Sequence, residues 1–434
     1  MVSVLHVNDA LGQYPATYYA ATAKPLDEFP PVSGEVNCDV AIIGAGLSGL
    51  SAALQLSKLG FSVALLDAHR LGWGASGRNG GQISGDQRLE QEELEKLVGK
   101  EDARKLWTIA QDSLAYIHKL AKQYDIDYEF QPGIIHADHK KRLVPHSRRY
   151  VDFMRENYGC DDLEFLDETK IRELVGSKAY YGGSIDRQAG HIHPLKFALG
   201  LAKACKAQGV KIFEKSQVLE ITHGAKPVLK TANGSVSCSQ LILACNGYLG
   251  TLDKPTAQRV MPINNYIIAT EPLSEAIATD LIRNNAAVAD SKFVINYFRL
   301  SKDRRLLFGG RESYRYTFPN DIKSFVRKAM LSIYPQLETT KIDYGWGGTL
   351  AITMNRMPYL KHIASNVMSI SGYSGHGVAM STFAGKMAAD AINGTASEFD
   401  VMARVPSRKI PGGLALRVPL LSLAMFYYSL RDKL

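Results

Sequence analysis

The sequence predicts a mixed α/β (α+β) fold that combines a parallel sheet with a second, antiparallel sheet. One observation is a pair of apolar strand-like runs, residues 40–43 and 61–66, which are separated by leucines at helical spacing. Another is a set of strand-like runs later in the chain, two of which flank a short polar turn at residues 301–303. At 434 residues, the chain is long enough for two domains of ordinary size.

The first strand runs directly into a glycine-rich turn. Residues 40–43 are followed by glycines in the pattern G-x-G-x-x-G, at Gly44, Gly46 and Gly49. Glycine inside an element costs about 0.5–1 kcal/mol relative to alanine, so packing alone does not favour this pattern. The leucines that follow predict a helix that ends at Gly60. The backbone of this turn is therefore expected to bend tightly and to stay open to a ligand.

The second strand completes a βαβ unit. Residues 61–66 are apolar and end in Asp67, about 20 positions after the glycines, which is the spacing of a Rossmann-like dinucleotide site. The turn and the helix N-terminus, which starts with Leu47 and Ser48, would receive the pyrophosphate on free N–H groups. Asp67 would accept hydrogen bonds from the ribose. This unit therefore predicts a bound dinucleotide.

A second glycine-rich loop follows the ribose position. Residues 70–82 read RLGWGASGRNGGQ, which has five further glycines and can place many backbone amides around an extended ligand. Such loops are often flexible linkers, but this one also contains Trp73 and sits directly after Asp67. The predicted ligand contacts are Ala68, Arg70, Gly74, Ala75, Ser76, Arg78, Asn79, Gly80, Gly81 and Gln82.

Composition excludes several classes of protein. The net charge of +8 is spread over the chain in short clusters, which does not favour a nucleic-acid-binding protein. Five cysteines without a C-x-x-C pair indicate a reducing compartment, and no apolar window is long enough to span a bilayer. The chain has no apparent signal peptide, no metal motif and no integral membrane segment, so a cytoplasmic protein is expected.

Motifs along nearly the whole chain resemble one enzyme family. The segment V-A-I-I-G-A-G-L-S-G-L with residues 70–82, L-I-L-A-C-N-G at 241–247, W-x-G at 346–348, T-x-N-x-x-P at 353–358 and G-Y-S-G-H-G at 372–377 carry the resemblance. They are similar to the FAD-dependent amine and amino-acid oxidoreductases of the glycine/D-amino-acid oxidase superfamily. The segment G-G-x-I-D-x-x-x-G-H-I-H-P at 182–194 is most similar to the bacterial γ-glutamylputrescine oxidoreductases.

The resemblance implies a discontinuous FAD-binding domain with an interleaved antiparallel-sheet substrate domain. We expect the FAD-binding domain at residues 37–85, 186–260 and 341–434. The substrate-binding domain would take residues 86–185 and 261–340, and residues 1–36 would form an N-terminal extension.

The resemblance also implies contacts to FAD far from the βαβ unit. A strand over residues 210–221 would present a backbone group of Val218 to the adenine. The later turns would lie beside the flavin, through Cys245, Asn246, Gly247, Gly372, Tyr373, Gly375, His376, Gly377 and Val378. Backbone amides of the 372–377 loop suit the negative charge of the reduced ring. His376 either adds positive charge there or only supports the loop.

FAD is expected to be noncovalent. In some relatives FAD is attached through a histidine in the loop after Asp67, where this chain has Asn79, and in others through a later cysteine. No cysteine follows Cys245 in this sequence.

Departures from the family pattern point to the substrate. Relatives that oxidise small α-amino acids hold the carboxylate with a basic pair, where this chain has Gln82 and Ala379. A primary amine with a remote carboxylate, such as γ-glutamylputrescine or a related γ-glutamylated polyamine, is therefore expected, unless Arg299 or Arg311 substitutes for the pair. Candidate catalytic and pocket residues are Gln82, Tyr297, Trp346, Tyr373 and His376.

The electron acceptor stays open at this stage. Oxidation by O₂ would give H₂O₂, but Leu307 stands where several relatives have an oxygen-activating lysine. Residues 414–434 are apolar with basic ends, so weak association with a membrane surface and a final packed helix are both open. The alternatives to an amine oxidase are an amino-acid dehydrogenase or oxidase that passes electrons to a quinone, and a noncatalytic flavin-binding regulator.

Overall fold

The computed structural model describes residues 4–313 and 315–411, so the segment 414–434 lies outside the described residues. The α-helices of these ranges are α1 (Tyr18–Thr22), α2 (Leu47–Lys58), α3 (Gln91–Val98), α4 (Lys100–Gln123), α5 (Val144–Tyr158), α6 (Glu168–Leu174), α7 (Pro194–Ala207), α8 (Lys254–Ala257), α9 (Glu275–Leu281), α10 (Ile322–Ile333), α11 (Val378–Ile392) and α12 (Ser397–Arg404). None of them combines the length and apolar character needed to cross a bilayer.

The strands of the same ranges form two sheets. They are β1 (Gly34–Ile43), β2 (Val63–Leu66), β3 (Gln82–Ile83), β4 (Gln131–Ala137), β5 (Leu163–Leu166), β6 (Gly183–His191), β7 (Lys211–Phe213), β8 (Glu220–Thr222), β9 (Val228–Lys230), β10 (Gly234–Leu243), β11 (Met261–Thr270), β12 (Ala287–Asp290), β13 (Tyr297–Leu300), β14 (Leu306–Ser313), β15 (Ile342–Ile352), β16 (Tyr359–Ala364) and β17 (Val367–Ser371). The mixed α/β fold class is confirmed.

The first sheet has a parallel centre in the order β17-β10-β1-β2-β7. β16 pairs antiparallel with β17 at one edge, and the short β8–β9 pair attaches to β10. The carboxyl ends of the parallel strands meet at a single edge, where ligands bind in open α/β sheets. Gly44, Asp67, Cys245 and Gly372 all lie just beyond strand ends at this edge.

Apolar helices cover one face of this sheet. Leu50 and Leu54 of α2 are buried with Val40 and Ile42 of β1, together with residues of α4, α7 and α11. The predicted helix after the glycine turn is confirmed, and it ends at Lys58 before Gly60, whose φ of +91° suits glycine. The apolar end of β1 is buried on both faces of the sheet, as its continuous apolar run predicts.

The second sheet has the order β15-β11-β14-β13-β12-β4-β6-β3, with β5 beside β6. The predicted hairpin is confirmed, because β13 and β14 pair antiparallel and the Ser301 amide donates to the Arg305 carbonyl at 2.9 Å. The sheet is not purely antiparallel, since β12 and β4 are parallel neighbours. These two strands come from distant parts of the chain, so no tight turn dictates their relative direction.

The expected continuous strand at residues 210–221 is wrong. The structure has two short strands, β7 and β8, separated by an irregular stretch that contains Val218. Lys215 adopts a φ of +51°, and the Ser216 amide turns back to donate to the Asp67 carbonyl at 2.7 Å. The chain therefore leaves the parallel sheet after β7 and re-enters it through the β8–β9 pair.

The boundaries of the two expected domains stay a prediction. A division of the chain by sheet would assign β15 to the second unit, although residues 341–434 were expected in the first.

Candidate functional site

A cavity of about 1290 Å³ opens between the carboxyl edge of the first sheet and the second sheet. Most of the residues predicted to contact a cofactor or substrate line it: Gly44, Gly46, Leu47, Ser48, Asp67, Ala68, Gly74, Ala75, Ser76, Arg78, Asn79, Gly80, Gly81, Gln82, Val218, Cys245, Asn246, Gly247, Tyr297, Tyr373, Gly375, His376, Gly377 and Val378. The structure thus brings together segments that are more than 300 residues apart.

Gly49 and Gly372 support this cavity without lining it. A Cβ on Gly49 would collide with the Gly44 carbonyl oxygen, so this glycine allows the close packing of α2 on the turn. Gly372 has a φ of +75°, and its amide donates to Oδ1 of Asn246 at 3.0 Å. That bond ties the turn after β17 to the turn after β10.

Arg70 and Trp346 also lie away from the cavity. The Arg70 guanidinium is 2.8 Å from the buried Glu214 carboxylate and donates to the Leu26 carbonyl. The Trp346 ring is buried, and its indole N–H donates to the carbonyl of Arg78 at 3.0 Å. The Arg70 side chain thus anchors the start of the glycine-rich loop, and Trp346 contacts the loop from β15. The direct contact with the cofactor expected of Arg70 and the pocket role expected of Trp346 therefore have no support in this geometry.

The two glycine turns are neighbours. The Ser48 hydroxyl in the first turn of α2 lies 2.8 Å from the Tyr373 hydroxyl in the loop before α11. Behind them, α2 and α11 pack so closely that a Cβ on Gly385 would collide with the Ser48 carbonyl oxygen. An extended ligand can therefore touch both turns at once.

The first turn can receive a pyrophosphate. Gly44 adopts a φ of +105°, and a Cβ there would come within 2.6 Å of the Ala244 carbonyl oxygen. Gly46 caps α2, and the Leu47 amide donates to Oγ of Ser76 at 2.9 Å. The other N–H groups of a first helical turn have no intrahelical acceptor, so they suit phosphate oxygens. The residues of this turn thus fit a dinucleotide.

Asp67 is fixed at the end of β2. Its carboxylate accepts from the backbone amides of Ala45 and His69, each at 2.8 Å, while it also lines the cavity. Burial raises the pKa of Asp67 to about 6, against the opposing effect of these two amides. The carboxylate therefore lies at the cavity in a fixed position, and its contact with a ribose hydroxyl stays a prediction.

The glycine-rich loop is held by its own polar side chains. The Asn79 side chain donates to the carbonyls of Ala75 and Ser76 and accepts from the Gly81 amide at 2.7 Å. Arg78 stacks on Trp73 and pairs with Asp9 at 2.8 Å. This loop is rigid for a glycine-rich segment, because its bends are set by side-chain hydrogen bonds.

His376 belongs to a polar cluster that sequence reasoning missed. Its Nε2 lies 2.8 Å from Oδ1 of Asp86 and 2.8 Å from Oγ of Ser84. Burial raises the pKa of Asp86, but the opposing effects of His376, His136 and Ser84 together are larger, so the pKa lies below its ordinary value. Asp86 and Ser84 sit in the polar run SGDQRLEQEE, which has no periodic pattern to distinguish a buried group from a solvated one.

Tyr297 forms part of the second-sheet wall. Its ring packs where Gly80 and Gly309 leave room, since a Cβ on either glycine would collide with it. The Tyr297 hydroxyl donates to Oδ1 of Asn265, and burial raises its pKa above the ordinary value. Gln82 lines the same cavity and donates to the Val288 carbonyl at 3.1 Å.

The open alternatives for a substituting basic residue do not reach the cavity. The Arg299 guanidinium donates to the carbonyls of Gly80 and Ile192 and to the Tyr19 hydroxyl. Arg311 is exposed and does not line the cavity. Leu307 packs in a buried cluster with Tyr19 and Trp346, so it does not face the cavity either.

The remaining histidine and cysteine candidates have structural surroundings. Burial raises the pKa of the Cys245 thiol to about 12, so its reactive thiolate is rare at neutral pH. His193 caps α7 by accepting from the Lys196 amide, and His191 lies 3.0 Å from the Asn285 carbonyl. Among the described residues, no group of three or more acidic, histidine or cysteine side chains could hold a metal ion.

Comparison with known proteins identifies the family. The model of the DAO family, described as FAD dependent oxidoreductase, matches residues 39–391. The chain is 39% identical to the γ-glutamylputrescine oxidoreductase of Escherichia coli over 424 residues, which cover 97% of this chain and 99% of that protein. It is 40% identical to a probable oxidoreductase, OrdL, of Rhizobium meliloti, over 96% of this chain and 97% of that protein.

Solved structures agree at the level of the fold. The glycine oxidase of Geobacillus kaustophilus superposes with a TM-score of 0.70 at 20% identity, covering 82% of this chain and 95% of that one. The L-proline dehydrogenase of P. horikoshii also has a TM-score of 0.70 at 20% identity, over 84% and 94% of the two chains. With the match over most of its length and with the paired glycine turns, the chain belongs to the DAO family of FAD-dependent oxidoreductases.

Proposed function

We propose that this enzyme oxidises a primary amine whose carboxylate lies far from the reacting carbon, with γ-glutamylputrescine or a related γ-glutamylated polyamine as the substrate. The observation that carries the proposal is the 39% identity, over nearly the full length of both chains, to a γ-glutamylputrescine oxidoreductase. The cavity wall supports it, because the positions of the expected carboxylate-binding pair hold uncharged Gln82 and Ala379. A small α-amino acid would lack its charge-assisted partners there.

The two glycine turns would hold FAD between them. The first turn of α2 would bind the pyrophosphate and Asp67 the ribose, as their free N–H groups and carboxylate allow. When bound, FAD would supply an acceptor for the hydride of the carbon that bears the amine, and O₂ would then take up the two electrons and be reduced to H₂O₂. The resulting imine hydrolyses in water to an aldehyde and ammonia.

The loop before α11 would stabilise negative charge on the cofactor. The first-turn N–H groups of α11 have no intrahelical acceptor and lie at the cavity. The Nε2 atom of His376 is held by Asp86 and Ser84, so only a protonated imidazole, through Nδ1–H, would add a further donor and a positive charge there. Fixed donors of this kind act without reorganisation during the reaction.

The aromatic wall would position the amine and exclude water. The hydroxyls of Tyr297 and Tyr373 are fixed by Asn265 and Ser48, and burial raises both phenol pKa values above the ordinary value. Both phenols therefore stay protonated at neutral pH and do not act as bases. We expect the substrate amine to react in its neutral form, after loss of its proton to water.

FAD would be held without a covalent bond. The Asn79 side-chain amide donates to loop carbonyls, and the thiol of Cys245 is protonated at neutral pH. Denaturation in trichloroacetic acid tests this point, since it should release all the yellow colour into the supernatant. Colour that stays with the precipitate would contradict it.

Neither alternative function gains an observation from the described residues. Leu307, which motivated transfer to a quinone, is buried away from the cavity, and the apolar segment 414–434 lies outside the described residues. A noncatalytic regulator would not need the fixed donors around His376.

Anaerobic mixing tests the proposal. FAD-loaded protein is mixed with γ-glutamylputrescine, putrescine, glycine, sarcosine and D-alanine, and the flavin absorbance band is followed. We expect γ-glutamylputrescine to bleach the flavin band rapidly, and the other compounds to bleach it more slowly or not at all. No bleaching by γ-glutamylputrescine, or by γ-glutamylated polyamines tested in the same way, would contradict the proposal. Re-addition of O₂ with a peroxide assay then identifies the electron acceptor.

A further inference from the structure

Two arginine side chains on the cavity wall have no hydrogen-bond acceptor among the described residues. Arg88 and Arg356 both line the cavity, and within residues 4–313 and 315–411 neither guanidinium donates a hydrogen bond or has a carboxylate within 4.0 Å. An arginine carries five N–H donors and keeps its charge at any physiological pH. By contrast, Arg78 donates to Asp9 through one nitrogen, and Arg299 donates to backbone carbonyls.

The two guanidinium groups are close enough to affect each other. Burial lowers the pKa of Arg88, and the positive charge of Arg356 lowers it further. Asp86, Glu312 and Glu93 oppose this effect from longer range. Two like charges on a partly desolvated wall are costly unless an anion binds between or beside them.

Both arginines sit on segments that contact the loop before α11. Arg88 follows Asp86, whose carboxylate is on His376. Arg356 belongs to the 353–358 loop, in which the Thr353 amide donates to Oγ of Ser374 at 3.3 Å. The pair is therefore anchored from two sides to the loop that would hold the flavin, which fixes its place relative to the redox site.

We propose that Arg88 and Arg356 form the subsite for the remote carboxylate of the substrate. This inference rests on the proposed function and specifies how the γ-glutamyl group is recognised. Guanidinium groups bind carboxylates through paired charge-assisted hydrogen bonds. The amide and methylene chain then lead away from this subsite to the terminal amine that is oxidised.

The same pair accounts for rejection of the free diamine. Putrescine would bring a second ammonium group, with no anion, toward two guanidinium groups, whereas the γ-glutamylated amine brings a zwitterionic α-amino-acid head whose carboxylate can bind them. Repulsion of the wrong substrate and attraction of the right one act together at such a site. The Arg88–Arg356 subsite thus makes γ-glutamylation a requirement for efficient binding.

Calorimetric titration of the FAD-loaded protein with γ-glutamyl-n-butylamide tests the subsite without turnover. This probe keeps the carboxylate head and lacks the oxidisable amine. We expect Arg88→Gln and Arg356→Gln each to weaken its binding by about tenfold or more, as for loss of a charge-assisted pair. Arg142→Gln, an exposed charge removal one residue from the cavity-lining Leu143, should leave binding within about twofold.

Two further variants and one further ligand keep the outcome clear. Arg88→Lys and Arg356→Lys keep the charge, so they should lose less affinity than the glutamine variants, and equal FAD content shows that folding is intact. N-butylbutyramide, which lacks the head group, should bind wild type and variants alike. Unchanged affinity for the probe in both glutamine variants, or no binding of the probe to wild type, overturns the subsite.

The reaction and the subsite can fail separately. Arginine-dependent binding of the probe together with no bleaching by γ-glutamylputrescine would sustain the subsite and reject the proposed reaction. Bleaching by γ-glutamylputrescine at equal rates in wild type and both glutamine variants would sustain the reaction and reject the subsite.

Discussion

At the scale of single residues, the His376 cluster is the feature whose chemistry bears most directly on catalysis. The imidazole is fixed by Asp86 and Ser84 at the edge of the loop that would face the flavin. The motif G-Y-S-G-H-G singled out His376 but left its role open. The hydrogen bonds show that the imidazole is held in place, and its role as a donor to the cofactor stays a prediction.

Replacement of His376 should slow flavin reduction. His376→Gln removes a fixed donor, so we expect the anaerobic reduction rate to fall by about 10–100-fold, with FAD content unchanged. Asp86→Asn weakens the hydrogen bond that positions the imidazole, so the reduction rate should fall less, by about 3–10-fold. Stopped-flow absorbance measures both effects.

A surface pair provides the control. His362 lies 3.6 Å from Asp400 in an exposed ion pair, so His362→Gln should leave the reduction rate unchanged. Wild-type rates in His376→Gln would show that the imidazole serves the fold alone.

Asp290 makes stability depend on pH. Burial raises the pKa of Asp290 to about 6, whereas an unfolded aspartate titrates near 3.9. The folded protein therefore binds a proton that the unfolded chain releases, and this contribution to the free energy of unfolding is lost as the pH rises from about 4 to 6. Asp290→Asn cannot ionise, so its stability relative to wild type should increase by about 2 kcal/mol between pH 4.5 and 7.

Denaturant unfolding of the FAD-loaded proteins at several pH values measures this difference. Parallel stability curves for wild type and Asp290→Asn would show that the carboxyl group titrates normally.

The glycines, Asp67 and His376 could be predicted at this scale because their motifs have a fixed spacing. Asp86 and Arg88 could not, since they lie in a polar run that reads as a solvated loop. Arg356 lies inside the T-x-N-x-x-P segment, so that motif offered a signal that was available but went unused.

At the scale of elements, the contact between α2 and α11 sets the width of the site. Gly385→Ala would force the helices apart, because the new Cβ meets the Ser48 carbonyl oxygen and comes within 2.7 Å of the Ala52 nitrogen. Overpacking of this kind typically costs about 1–3 kcal/mol. We expect a lower melting temperature and a reduced FAD content, measured by thermal unfolding and by the flavin-to-protein absorbance ratio.

The neighbouring position is the matched control for this helix contact. Lys386 is partly exposed and pairs with Asp390, so Lys386→Ala should cost less than about 1 kcal/mol and keep FAD content. Full FAD content and an unchanged melting temperature in Gly385→Ala would contradict the close helix contact.

Helices with strong periodicity were predictable, and irregular stretches were not. α2 lies close to the predicted position, because apolar spacing and a glycine near each end mark it in the sequence. The prediction of a continuous strand over residues 210–221 was wrong, because apolar residues alone do not reveal that the chain turns out of the sheet at Lys215. The expectation of a purely antiparallel second sheet was wrong for a related reason. The parallel pairing of β4 with β12 joins distant segments, and such pairing has no local signal in the sequence.

At the scale of the whole molecule, the site exists only where the two sheets meet. The carboxyl edge of the first sheet supplies the dinucleotide turns, and the second sheet supplies the wall that contains Tyr297. Nearly every predicted contact lines one cavity, although the sequence alone did not define its shape. The resemblance to a family supplied that long-range arrangement, which spacing within the chain could not.

The pH dependence of the reaction tests the absence of a protein base. Both phenols of the wall stay protonated, so neither can take the proton, and the proposal has the amine lose it to water before oxidation. We expect the flavin reduction rate at low γ-glutamylputrescine concentration to rise about tenfold per pH unit below the pKa of the amine. Tyr297→Phe should keep this slope, whereas a flat profile in wild type would reveal a protein base.

The most direct measurement of the central claim is the ratio of anaerobic flavin reduction rates with γ-glutamylputrescine and with free putrescine, at equal low concentrations. A cavity that joins an amine oxidation site to a remote carboxylate subsite predicts a ratio of about 100 or more, from loss of charge-assisted contacts and repulsion of the second ammonium. A ratio near one, or faster reduction by putrescine, would contradict the claim.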